Sequence, residues 1–191
     1  MSIEKYVLLN KYPMSKVLAI LGELSNGDID WMIANGSKEK ITTNTVLIHE
    51  GQPIDALYIV LDGTMKAYVA GVGNQEIGII TSGEILGEMS FVDGRLPSAT
   101  VKAIENTLIL SIPKQKLNEK LEQDVLFSLR FYRAITKFLS TRLRGTVTRF
   151  SEHQDLLYQD NYRNDNTEKL TDNSAVAKSR FEALMERLKN S

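Results

Sequence analysis

No cysteine occurs among the 191 residues. That excludes a disulfide framework, a thiolate metal site and a cysteine nucleophile, and it fits a reducing cytoplasm. Histidine is nearly as scarce: there are two, His49 and His153, placed on different elements. A histidine-carboxylate metal site needs two or three histidines converging on one place, so these two read as ordinary polar residues and no metal is expected. Long apolar runs are missing too. The first residues, MSIEKYVLLNKYPMSKV, hold none that would serve as a signal peptide or membrane helix, and no later stretch comes close. An excess of positive charge is also lacking. With 23 basic and 24 acidic residues the net charge is -1, which argues against strong non-specific binding of nucleic acid by the whole chain. No nucleophile elbow, P-loop lysine motif or paired catalytic carboxylates stand out, and neither Ser98 nor Ser111 has a histidine close in sequence. We therefore expect no enzyme and no required cofactor.

What is present suffices for a core: 42 % of the residues are apolar. Residues 1–36 predict short helices. Pro13 suits a first turn, and Val17, Leu18, Ile20, Leu21 and Leu24 recur at helical spacing. Ser25 with Asp28 three residues on forms a capping box for a second helix through Ile29, Trp31, Met32 and Ile33, which Gly36 ends. From 37 to 113 short apolar runs alternate with glycine turns: 45–48, 57–61, 65–69, 77–81, 100–104 and 107–112. Asp62-Gly63 is a hairpin signal, and residues 70–74 suggest a longer hairpin tip. Many short strands at regular spacing predict an antiparallel sandwich or barrel, and the run Tyr58-Ile59-Val60-Leu61 a strand packed on both faces.

Helical spacing returns at 114–150. A short basic helix covers Lys114 to Leu121. A long amphipathic one from Val125 to Phe150 carries Phe127, Phe131, Ile135, Leu139, Leu143 and Val147 every four residues. Such a helix is about 39 Å long, more than a small barrel can cover, so its far half is expected to pair with a second copy in a homodimer through Val125–Phe150. Residues 151–172 read as a polar linker. Residues 173–191 read as a last helix with Val176, Phe181, Leu184 and Leu188 on one face.

The stretch GEMSFVDGRLPSATV at 87–101 has the layout of an anion-binding loop. Gly87 admits a close backbone, Met89 to Val92 can form one turn with inward amides, and Ser98, Ala99 and Thr100 offer hydroxyls and an amide. Glu88 repels a phosphate but can accept from a sugar hydroxyl. The same residues suit a tight turn that binds nothing.

Gly51 in HEGQP, Tyr58-Ile59-Val60 with Gly63 in LYIVLDG, Gly87-Glu88, and SATV at 98–101 stand in an order and spacing that are specific together. On these residues the chain, from about 15 to 150, resembles the cyclic nucleotide-binding domain of the catabolite activator and protein kinase A regulatory-subunit type. The resemblance implies an α+β, mainly β fold: an eight-stranded antiparallel β-roll of jelly-roll kind, with N-terminal helices, a long C-terminal helix and a tail helix. It implies a ligand such as cAMP or cGMP. Gly87 and Met89 would frame the loop, Glu88 would hold the ribose 2′-hydroxyl, Ser98 and the Ala99 amide the phosphate, and Thr146 the base. One position departs. Pro97 stands where such domains hold a phosphate-pairing arginine, and proline supplies neither charge nor an N–H. Arg95, two residues earlier, is the substitute within reach along the chain.

Two functional classes follow: a sensor whose pocket is weakened or re-specified and which acts on an unknown protein effector, and a ligand-independent scaffold using the long helix and the tail helix around Phe181. A DNA-binding regulator is the third reading. The region 114–150 holds nine basic residues against three acidic ones. The residues after Phe150 are nevertheless expected to supply one helix and a linker, with no two-helix DNA-binding unit.

Overall fold

The computed structural model describes residues 18–71, 75–155 and 174–189. The start of the first expected helix, the centre of the hairpin tip at 72–74 and most of the expected linker lie outside these, as do the side chains of Phe150 and His153. Two helices, α1 (Leu18–Glu23) and α2 (Asn26–Asn35), lead into eight strands: β1 (Ser37–Ile41), β2 (Val46–Ile48), β3 (Ala56–Asp62), β4 (Thr64–Val69), β5 (Gln75–Thr81), β6 (Ile85–Leu86), β7 (Thr100–Ala103) and β8 (Thr107–Pro113). Helix α3 (Glu88–Asp93) sits between β6 and β7. Helices α4 (Lys114–Gln123), α5 (Val125–Asp155) and α6 (Ser174–Lys189) follow β8. The strands form two four-stranded antiparallel sheets, ordered β1-β8-β3-β6 and β2-β7-β4-β5, which is the expected β-roll with its helices.

The capping box at α2 forms as its sequence requires. The Ser25 hydroxyl accepts from the Asp28 amide at 3.2 Å, and the Asp28 carboxylate accepts from the Ser25 amide at 2.7 Å. Asp62-Gly63, by contrast, does not join a hairpin. β3 pairs with β6 and β8, whereas β4 pairs with β5 and β7, so the turn carries the chain from one sheet to the other. The positive φ that the dipeptide advertises is there, at +100° for Gly63, and a Cβ would lie 2.7 Å from the Thr107 Cα. The local signal fixes the bend, while packing against β8 fixes its direction. Strand β1 has no apolar run. It is an edge strand, largely solvent-exposed, held to β8 by backbone pairing.

β3 is packed on both sides. Leu57, Ile59 and Leu61 face the helices, and Val60 faces the roll interior with Ile48, Met65, Ile80, Leu86, Val101, Ala103 and Ile109. The outer core gathers Leu21, Leu24, Ile29 and Met32 from α1 and α2, Leu117 from α4, Phe127, Phe131, Ile135 and Phe138 from α5, and Leu184 and Leu188 from α6. Burial of this kind stabilises by roughly 1.5–3 kcal/mol per large side chain. The tail helix therefore folds back onto its own chain. Phe181, which the scaffold reading placed on a partner surface, is partly buried against this core. Arg180 donates to the Leu21 and Gly22 carbonyls at 3.0 and 2.9 Å, capping the end of α1.

Helix α5 is longer than expected and reaches Asp155, into the stretch read as linker. One face of its first half is buried through the phenylalanines, while Val125, Leu126 and Leu129 are exposed. Further along, Leu143 and Val147 are 65 % and 60 % exposed. Much of the basic charge of 114–150 is matched within the chain: Arg130 by Asp28, Arg133 and Lys137 by Glu23, Lys120 by Asp124 and Arg142 by Glu88. That removes most of the basis for a DNA-facing stripe on α5.

Candidate functional site

The chain leaves β6 through Gly87, which has φ +84° and whose Cβ position lies 2.7 Å from the Ile54 side chain and 3.2 Å from the Ala56 carbonyl oxygen. Only glycine fits this close, left-handed step. It starts the one-and-a-half-turn helix α3, whose Phe91 ring meets Phe131 of α5 edge-on at 5.6 Å. The loop after α3 is tied to the 50–51 turn, since the Gly51 amide donates to the Pro97 carbonyl at 2.9 Å and the Glu50 amide to the Thr100 hydroxyl at 3.1 Å.

These ties enclose a cavity of about 230 Å³. Its floor is the roll interior at Ile48, Ile80, Leu86 and Val101. Its rim is the 87–101 loop, and its outer wall is α5 at Phe138, Thr141, Arg142 and Thr146. Of the residues singled out from sequence, Gly87, Glu88, Met89, Ser98, Ala99 and Thr146 all line it. Arg95 does not. Its side chain is 86 % exposed and lies 4.0 Å from the Asp93 carboxylate outside the cavity. Pro97 itself is part of the lining.

The residue that sequence reading missed is Arg142. Among the described lining residues it is the one cation, set against Glu84 and Glu88. Its Nη1 donates to Glu88 Oε1 at 2.5 Å, and its guanidinium lies 4.6 Å from the centre of the Phe138 ring. Glu88 is only 2 % exposed. Burial pushes its carboxyl above the ordinary carboxylate range. Arg142 and the amides of Glu88 and Met89 pull it back, while Glu84 adds to the rise. Arg142 stands four residues before Thr146, on the same side of the helix, so that spacing was the available signal. The Thr141 and Thr146 hydroxyls donate to the Lys137 and Arg142 carbonyls at 2.9 and 3.0 Å, which leaves their oxygens as acceptors towards the cavity.

The family model of the cyclic nucleotide-binding domain matches residues 38–124. Among solved structures, a cyclic nucleotide-binding domain from Methylobacillus flagellatus superposes with a TM-score of 0.66 at 23 % identity, covering 76 % of this chain and 85 % of that one. The catabolite activator protein of Thermus thermophilus superposes with a TM-score of 0.56 at 18 % identity, covering 87 % and 84 %. At these identities the likeness is one of fold. Lysophospholipase nte1 of Neosartorya fischeri is 25 % identical over 123 residues, which is 63 % of this chain and 7 % of that protein. An uncharacterised NTE family protein of Mycobacterium tuberculosis is 26 % identical over 120 residues, 63 % of this chain and 20 % of that one. The chain spans a small part of the length of these relatives.

Proposed function

From the match of residues 38–124 to the cyclic nucleotide-binding domain model, we propose that the chain is a regulatory sensor and not an enzyme. A small ligand in the 87–101 cavity biases helix α5, and α5 carries the signal to a protein partner. One observation carries this reading: the cavity is walled jointly by the loop and by α5, through Glu88 on one side and Arg142 and Thr146 on the other. A ligand that touches both prefers one arrangement of α5 over another, and that difference in affinity is what gating requires. In this reading Gly87, Glu88, Met89, Ser98, Ala99 and Thr146 contact the ligand, and Arg95 does not.

The pocket lacks a cation at position 97, so cAMP and cGMP bind weakly. A charge-assisted hydrogen bond contributes roughly 1.5–3 kcal/mol, so its absence costs about 10- to 100-fold in affinity. Thermal melting and calorimetry with cAMP and cGMP test this. Small shifts at millimolar nucleotide, growing when Pro97→Arg is introduced, are the expected result. Low-micromolar binding of cAMP by the unmodified chain would show that backbone amides suffice.

The exposed Leu143 and Val147 on the far half of α5 favour a homodimer through Val125–Phe150. Sedimentation at micromolar concentration should give a dimer, and Leu143→Arg a folded monomer whose melting temperature no longer depends on concentration. Among the described residues no helix is long and apolar enough to cross a membrane.

A further inference from the structure

We propose that the tail helix α6 positions the outer wall of the cavity from a distance, through the C-terminal end of α1. Helix α1 has no basic residue in its last turn, and it ends on Glu23, an acid at the negative end of the helix dipole. Cations from two other helices meet that end instead. From α6, Arg180 donates to the Leu21 and Gly22 carbonyls at 3.0 and 2.9 Å. From α5, Arg133 lies 2.9 Å from the Glu23 carboxylate and Lys137 pairs with the same group, whose side chain is only 8 % exposed. The end of α1 is therefore a junction that ties α6 to α5.

This junction lies one helical turn from the cavity. The Thr141 hydroxyl donates to the Lys137 carbonyl at 2.9 Å, and Thr141 and Arg142 both line the cavity. Apolar contacts run along the same route. Leu184 and Leu188 of α6 are buried in one cluster with Leu21 of α1 and Phe138 of α5, and Phe138 also lines the cavity. At its far end α6 is held to the rest of the fold, since Lys38 of β1 donates to the Leu188 carbonyl and Arg187 pairs with Asp30 of α2. With α6 docked, α1 is capped and presents Glu23 where Arg133 and Lys137 hold the wall. With α6 displaced, the cap is lost, the junction loosens, and the wall at Thr141 and Arg142 loosens with it. The Glu88–Arg142 pair joins the wall to the 87–101 loop and reads the wall's position directly. On the reading of the cavity as a ligand site, a ligand gripped between loop and wall favours docked α6, and docked α6 favours the ligand by the same factor.

The test needs no ligand. In the full chain, Arg180→Glu sets an acid against the α1 carbonyls. The Glu88–Arg142 coupling, measured by denaturant unfolding of Glu88→Gln, Arg142→Gln and the double variant, should fall to about half or less in that background. Substitutions that share no contact usually add, so a tail helix that contributed stability alone would lower the melting temperature and leave the coupling unchanged. That result would overturn the proposal. Should Arg180→Glu fail to fold, Glu23→Gln breaks the junction from its other side with α6 untouched. It should lower the same coupling, and an unchanged value there would overturn the proposal equally. Nucleotide titrations decide the sensor reading separately, so the two can fail independently.

Discussion

At position 97 a proline lines the cavity and accepts from the Gly51 amide, and forty-five residues later Arg142 brings the one cation that the described lining contains. The two facts belong together at the scale of single residues. Burial raises the pKa of Glu88, and the Arg142 guanidinium counters it. Arg142→Gln should therefore destabilise the chain by about 1–3 kcal/mol, less than the roughly 3–5 kcal/mol of a fully buried broken pair, because Arg142 is itself one-third exposed. Adding Glu88→Gln to it should restore much of the loss. A double-mutant cycle by denaturant unfolding reads the coupling directly, and additive effects would refute the pairing. The loop's contribution was legible in the sequence because Gly87, Glu88, Ser98 and Ala99 are close along the chain. Arg142 was not, since it reaches Glu88 across 54 residues.

At the scale of elements, α5 is fixed to α1 and α2 by a row of charges, Arg130 to Asp28 and Arg133 and Lys137 to Glu23. Asp28 serves twice, as capping-box partner and as acceptor for the Arg130 fork at 2.6 and 2.8 Å. Burial raises its pKa. The Arg130 hydrogen bonds, with those of the Ser25 amide and hydroxyl, outweigh burial and set it below the ordinary 3.8. In the window between 3.8 and the lowered folded value the unfolded chain binds more protons. The stabilisation is therefore complete above about pH 4 and fades as pH falls through the folded value. Asp28→Asn should cost about 2 kcal/mol at neutral pH. The difference in melting temperature from the unmodified chain should shrink as the buffer is taken below pH 4. A constant difference across that range would place the effect in shape, not charge.

For the whole molecule, the tail helix α6 closes the outer core, with Leu184 and Leu188 almost fully buried and Arg180 on the end of α1. Leu184→Ala should lower stability by about 2–4 kcal/mol, a cost appropriate to a core position and far above that of an exposed leucine. Near-neutral behaviour in urea unfolding would mean that α6 is docked only loosely. The same docking packs Phe181, partly buried, against the outer core.

Sequence alone determined what local periodicity and local sterics can dictate. The capping box of α2, the two-sided burial of β3, the turn at Gly87 and the amphipathic run of α5 each depend on residues within one or two turns of one another. Tertiary structure decided what depends on distance along the chain: that Asp62-Gly63 bends between sheets, that the charged strand β1 finds β8, that α6 returns to α1, and that Arg142 meets Glu88. A periodic pattern states that a face will be buried. Which partner buries it, and which charge answers another inside the cavity, is set by the free energy of the packed whole.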